Sequence, residues 1–257
     1  MASTMTVLRT ELMGYLDQLL QPSQFKDYAP NGLQVEGAGE ISHIVAGVTA
    51  SQALIDEAIA QGADALLVHH GYFWRNEASP LVGMKMRRIK ALLNHDINLI
   101  AYHLPLDSHA EFGNNAQLGQ LLGWPSNGHM QSSGVTGLGL YGTLPQAQSG
   151  EQIQKHLTAV LGREALHIDV PSKPIKRIGW CTGGAQGMIE RAVELELDAY
   201  VSGEVSESTV HVARECGVHY FAAGHHATER YGAKALAAHL QQALNVTCEF
   251  VDIDNPA

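Results

Sequence analysis

The stretch LLVHHGYFW (Leu66–Trp74) ends an apolar run on two adjacent histidines, His69 and His70. An uninterrupted apolar run of this length reads as a strand buried on both faces, the kind found in parallel sheets covered by helices. Neighbouring residues of a regular strand project to opposite sides. Two imidazoles placed side by side therefore suit two separate ions a few ångströms apart better than a single one.

The surrounding sequence supports that frame. HIVAGVT (His43–Thr49) reads as a preceding buried strand, and SQALIDEAIAQG (Ser51–Gly62) as a helix with Ser51 as its N-cap and Gly62 just past its end. MKMRRIKALLNH continues as a helix and INLIAYH (Ile97–His103) as a strand, while TVLRTELMGYLDQLL (Thr6–Leu20) carries helical apolar spacing. The alternation predicts an α/β fold with a mostly parallel sheet. The second half repeats the pattern. With an offset of 134, Ile44 meets Ile178, Ile55 meets Ile189, Ala58 meets Ala192 and Asp64 meets Asp198. Two readings stand: an internal duplication, or the convergent patterning that any two strand–helix–strand units share. The stretch Trp124–Gly150, rich in Gly, Ser, Pro and Gln but holding a strand-like GLGLYGTL, divides two α/β halves, 1–125 and 126–257, expected to form one compact unit.

Bulk composition narrows the function. The formal net charge of −10, with KMRRIK as the densest basic run, argues against nonspecific nucleic-acid binding, which needs cations against phosphates. Three cysteines, Cys181, Cys216 and Cys248, lie far apart without a C-x-x-C pair, which disfavours a disulfide framework or a thiolate zinc site and fits a reducing cytoplasm. No signal pattern opens the chain, and no apolar run has the length of a membrane span. Fourteen histidines against sixteen Lys and Arg is the anomaly.

Ligands in open parallel sheets collect beyond the carboxyl ends of the strands. Four such ends carry chemistry here: His69-His70, then His103 and Asp107 in YHLPLD, Glu204 in SGE, and His225, His226 and Glu229 in GHHATE. His103 and Asp107 are four apart, as are His225 and Glu229, which can face one way if a helix begins near Ala227. Nitrogen and oxygen donors without thiolate suit Zn²⁺, Fe, Mn²⁺ or Co²⁺, and Asp107 and Glu229 would offset the cations' charge. His226 reads as structural, or as a support behind the ligands. His43, His95, His109, His129, His156, His167, His211, His219 and His239 join no cluster in the sequence and read as ordinary. CTGGAQG (Cys181–Gly187) is either a tight turn or a phosphate cradle at a helix start; NGLQVEG (Asn31–Gly37) is either a surface turn or part of the site. No nucleophile elbow is present.

On the motifs NGLQVEG, ALLVHHGYFW, AYHLPLD, CTGGAQG, DAYVSGE and AAGHHATER, which span most of the chain, the sequence resembles the Nif-three-like proteins, also known as GTP cyclohydrolase I type 2 homologues, in their compact bacterial form. The resemblance implies two similar α/β halves facing each other across a two-metal site. It implies two divalent ions per chain (Zn, Fe, Mn or Co) on His69, His70, Asp107, His225 and Glu229, with His103 and Glu204 nearby as candidate catalytic groups. It also implies a toroidal homohexamer. The family name implies ring opening of GTP, the C8 carbon leaving as formate, with His103 able to move protons. The expected function is thus a metal-dependent hydrolase of a nucleotide-like small molecule. The alternatives are a non-enzymatic metal-binding protein or a DNA-associated ring, the last opposed by the net charge.

Overall fold

The computed structural model describes residues 5–133 and 136–257. In chain order the strands and helices are β1 (Val7–Leu8), α1 (Arg9–Leu20), β2 (Gly32–Val35), β3 (Glu40–Ile41), β4 (His43–Thr49), α2 (Gln52–Ala60), β5 (Ala65–His70), α3 (Gly83–Asn94), β6 (Asn98–Ala101), α4 (Leu104–Ser108), α5 (Asn114–Leu121), β7 (Gly128–Ser133), β8 (Thr136–Gln148), α6 (Gly150–Leu161), β9 (Leu166–Ile168), β10 (Ile175–Cys181), α7 (Ile189–Glu194), β11 (Ala199–Ser202), α8 (Glu207–Cys216), β12 (His219–Ala222), α9 (His225–Leu244) and β13 (Thr247–Phe250).

The chain forms two compact units. The first runs to Phe112 and takes back Gly232–Asp254; the second holds Gly113–Tyr231 and Asn255–Ala257. The sequence division at residue 125 follows a change in composition. The units divide instead by packing: α5 buries Leu118 among second-unit side chains, and α9 buries Leu236 and Leu240 in the first.

The first unit is built on a five-stranded sheet in the order β13-β4-β5-β6-β2, parallel except for the antiparallel edge strand β2. Alternation along its strands separates two apolar layers. Ile44, Ala46, Ala65 and Leu67 pack with Leu12 and Leu16 of α1 and Leu236 and Leu240 of α9. Val45, Leu66 and Val68 pack with Leu54 and Ile55 of α2 and Ile89 and Leu92 of α3. Burial on both faces is why these strands read as continuous apolar runs. Ser51 caps α2 as its sequence predicts, accepting from the Leu54 N–H at 3.3 Å. The helix expected from Thr6 starts at Arg9, because Val7 and Leu8 pair with Ile41 and Glu40.

The second unit has a six-stranded sheet in the order β7-β8-β10-β11-β12-β9. Only β10, β11 and β12 are parallel; β8 and β9 flank them antiparallel, and β7 pairs with β8. Ile178, Trp180, Val201 and Phe221 face α5 and α6, while Tyr200, Tyr220 and Ala222 face the layer of Ile189, Ala192 and Ala213.

The 134-residue offset survives in three dimensions. Ile44 pairs with Ala65, and Ile178 with Ala199, in the same register. Asp64 Oδ2 accepts from the backbone N–H groups of Ser42 (2.8 Å) and His43 (3.0 Å); Asp198 Oδ2 accepts from those of Lys176 (2.9 Å) and Arg177 (2.8 Å). The Asp64 N–H returns a bond to the His43 carbonyl, and the Asp198 N–H to that of Arg177. Shared register and a shared carboxylate clamp favour duplication over convergent patterning, since a generic strand–helix–strand unit requires neither.

Candidate metal-binding residues

In the first unit the donors sit at and just beyond the ends of β5 and β6. The ladder between these strands stops at Val68–Ala101, so His69 and His70 project past it. Their rings are 4.5 Å apart between centroids, closer than side chains on opposite faces of a regular strand would come. His103, at the start of α4, lies 5.1 Å from the His69 ring and 5.8 Å from the His70 ring. One nitrogen from each of the three falls within 4.8 Å of the others. Asp107 is buried on α4, its Oδ1 3.4 Å from His69 Nε2.

The three imidazoles are oriented alike. Nδ1 of His69 lies 3.0 Å from the Tyr102 carbonyl, that of His70 3.2 Å from Thr49 Oγ1, and that of His103 2.7 Å from Asp27 Oδ1. A carbonyl only accepts, so His69 carries a proton on Nδ1, the position protonated in a histidine that binds a metal through Nε2.

Asp27 is the residue that sequence reading missed. Besides His103 it accepts from the N–H groups of Tyr28 (2.6 Å) and Leu104 (2.9 Å) and from Asn31 Nδ2 (2.9 Å). Burial would raise its pKa, but the hydrogen bond and charge of His103, with Asn31 and the Leu104 N–H, bring it down to about 2. Asn31, first residue of NGLQVEG, accepts the His103 N–H at 2.7 Å, and Gln34 accepts the Tyr72 N–H at 2.7 Å. That stretch is thus strand β2 and part of the site's support, not a surface turn.

In the second unit His225 opens α9, two residues earlier than the sequence suggested, and Glu229 follows one turn later. His225 Nε2 is 3.1 Å from Glu229 Oε2, and its Nδ1 is 2.7 Å from Glu204 Oε1. The bond to Glu229 raises the His225 pKa; burial opposes this, and the charges of Glu229 and Glu204 reinforce it, leaving it at about 9. Glu204 stands 134 positions after His70, so the two units place a donor at the same point of the fold. His226 gives its backbone N–H to the Ala257 carbonyl at 3.1 Å.

CTGGAQG serves as a turn. The Thr182 N–H donates to Asn115 Oδ1 and the Gly183 N–H to Thr228 Oγ1, which commits both amides. Gly183 has φ +69°, and a Cβ there would overlap Glu229 Oε1 and approach His225 Nε2 to 3.2 Å. The glycine is required so that the turn can pass beside the two donors.

The donor chemistry fits a divalent ion held by nitrogen and oxygen, and the fold is that of a two-unit α/β protein. Residues 7–256 match the Duf34/NIF3 (NGG1p interacting factor 3) family, and the chain belongs to it. A Pseudomonas aeruginosa protein named GTP cyclohydrolase 1 type 2 homolog is 49% identical over 253 residues, 98% of this chain and 100% of that one. The solved structure of protein ybgI, of unknown function, superposes with a TM-score of 0.94 at 48% identity, covering 98% of this chain and 100% of that one. A Thermus thermophilus structure gives 0.86 at 34% identity, covering 98% and 99%.

Proposed function

We propose that this protein is a binuclear metal-dependent hydrolase acting on a nucleotide-like small molecule, with two divalent ions held by His69, His70, Asp107, His225 and Glu229. The observation that carries the reading is the common orientation of four imidazoles. His69, His70, His103 and His225 each turn Nδ1 to an oxygen, and Nε2 of His69 and of His225 faces a carboxylate, Asp107 and Glu229, that a bound ion would share. Metal-binding histidines are commonly fixed by such a partner. The names of the curated relatives support the nucleotide class.

Bound divalent ions would supply Lewis acidity and acidify a water. The chain's own groups do the rest. Asp27 fixes the His103 ring through Nδ1, so a proton can be held or passed at Nε2. Glu204 orients His225 in the same manner. Glu229 and Asp107, both buried, supply the negative charge that two cations need.

Elemental analysis of protein purified without chelator tests the reading. The proposed ligands are expected to account for about two ions per chain, so His69→Ala and Glu229→Ala should each lower the metal content while circular dichroism stays unchanged. Protein that takes up no metal after reloading with Zn²⁺, Mn²⁺ or Fe²⁺ would overturn it. Loaded protein should release formate or phosphate from a nucleotide panel that includes GTP, and His103→Gln should abolish turnover but keep the metal. A loaded protein inert across the panel would reduce the assignment to metal binding alone.

A further inference from the structure

A separate donor cluster lies at the edge of the second unit's sheet. β9 pairs antiparallel with β12, placing His167 opposite Phe221 and diagonal to His219. Asp169 follows directly after β9. His219 is 1% exposed; the His167 side chain is 9% exposed and stacks on Phe221 with centroids 4.3 Å apart, while Asp169 is open to solvent.

The donor atoms define a triangle. His167 Nε2 to His219 Nδ1 is 3.1 Å, His219 Nδ1 to Asp169 Oδ1 is 3.4 Å, and His167 Nε2 to Asp169 Oδ1 is 3.7 Å. Bonds of ~2.0–2.1 Å from a tetrahedral zinc-type ion to imidazole nitrogen and carboxylate oxygen require donors ~3.3–3.4 Å apart. The triangle's mean edge matches that figure. Both distances to the carboxylate are longer than an ordinary ring N–H···O bond, while the two rings are within hydrogen-bond reach of each other at 3.1 Å.

Tautomer and space point the same way. His219 Nε2 lies 2.9 Å from the Lys173 carbonyl, which only accepts, so His219 carries its proton on Nε2 and has its lone pair on Nδ1, inside the triangle. A ring nitrogen bonded to a backbone carbonyl, with the other nitrogen turned to an ion, is the usual outer support of a metal-bound histidine. The Val170 N–H at 3.3 Å and His167 Nε2 at 3.1 Å compete for the same Nδ1. Above the rings sits Gly150, where a Cβ would overlap His167 Cε1 and come within 3.1 Å of His219 Nδ1.

We propose that His167, Asp169 and His219 form a further metal site, distinct from the one above, that takes a single zinc-type dication and leaves its fourth position to solvent. It would clamp the edge strand β9 and its exit loop onto β12. This revises the sequence reading of His167 and His219 as ordinary.

The test is Co²⁺ and Zn²⁺ titration of the full chain carrying His69→Ala and His225→Ala, which remove donors only from the other set. One ion per chain should still bind, and Co²⁺ should develop the intense visible bands of tetrahedral coordination. Adding Asp169→Asn, an exposed change that spares the core, should weaken binding at least about tenfold. Adding His167→Gln should abolish the visible bands. Absence of binding in the double variant, or binding unaffected by Asp169→Asn and His167→Gln, would overturn the site and leave a hydrogen-bonded histidine pair. In the otherwise unaltered chain, Asp169→Asn should lower metal content by one ion, whatever the fate of the hydrolase reading.

Discussion

At the scale of the residue, His225 connects protonation to metal uptake. Its pKa of about 9 in the metal-free protein means the ring is protonated at pH 7, through Glu229 foremost. A ligand nitrogen must be deprotonated. Metal uptake at pH 7 should therefore release close to one proton from this ring, measurable by calorimetry in buffers of different ionisation enthalpy; Glu229→Gln should reduce the release. The sign for stability follows. The folded value lies above the unfolded one of roughly 6.5, so the Glu229–His225 pair stabilises metal-free protein fully below that pH, and the contribution is lost as pH rises through about 9. Thermal unfolding of metal-free protein at pH 6 and pH 10 should show that loss, and in Glu229→Gln it should shrink. Much at this scale was legible in the sequence, because His69-His70 and the four-residue spacings of His103–Asp107 and His225–Glu229 are local. Asp27 was not: it reaches His103 across 76 positions from a loop with no distinguishing pattern. That His167 and His219 meet was hidden for the same reason, since they are 52 positions apart until β9 and β12 pair.

At the scale of the element, legibility followed burial. Strands β4, β5, β10 and β11 stood out because both their faces are covered. Edge strands did not. Strand β2 was hidden in a polar, glycine-flanked stretch, and GHMQSS of β7 lacks apolar alternation. The clamps of Asp64 and Asp198 are the elements' own fastening, tying the start of one strand to the start of the next. Hydrogen bonds to a charged acceptor contribute about 1.5–3 kcal/mol. Asp64→Asn and Asp198→Asn should each destabilise by about that amount in urea unfolding, whereas Asp56→Asn, on an exposed helix face, should stay within about 0.5 kcal/mol of the parent. Equal stability of all three variants would show that the paired clamps are incidental.

At the scale of the whole molecule, the net charge of −10 opposes self-association, yet Leu81, Val82 and Met84 expose 49%, 67% and 57% of their surfaces in one short run. The resemblance implies six copies, and this run is apolar surface that such an assembly can cover. Light scattering should give about six times the 27.7 kDa chain mass, and Val82→Asp should lower it; a monomer in both cases would remove the hexamer. No helix among the described residues is long and apolar enough to cross a membrane. The order of the first sheet has a further consequence for the nascent chain. Strand β4 lies between β13 and β5, but β13 leaves the ribosome nearly 200 residues after β4. At ordinary synthesis rates that delay is on the order of tens of seconds. Throughout it the β4 edge has no strand to pair with, while the entire second unit except its last three residues emerges. The emerging polypeptide must shelter an open, apolar strand edge until Thr247–Phe250 is made, so this edge is the part of the first sheet most exposed to mispairing during synthesis.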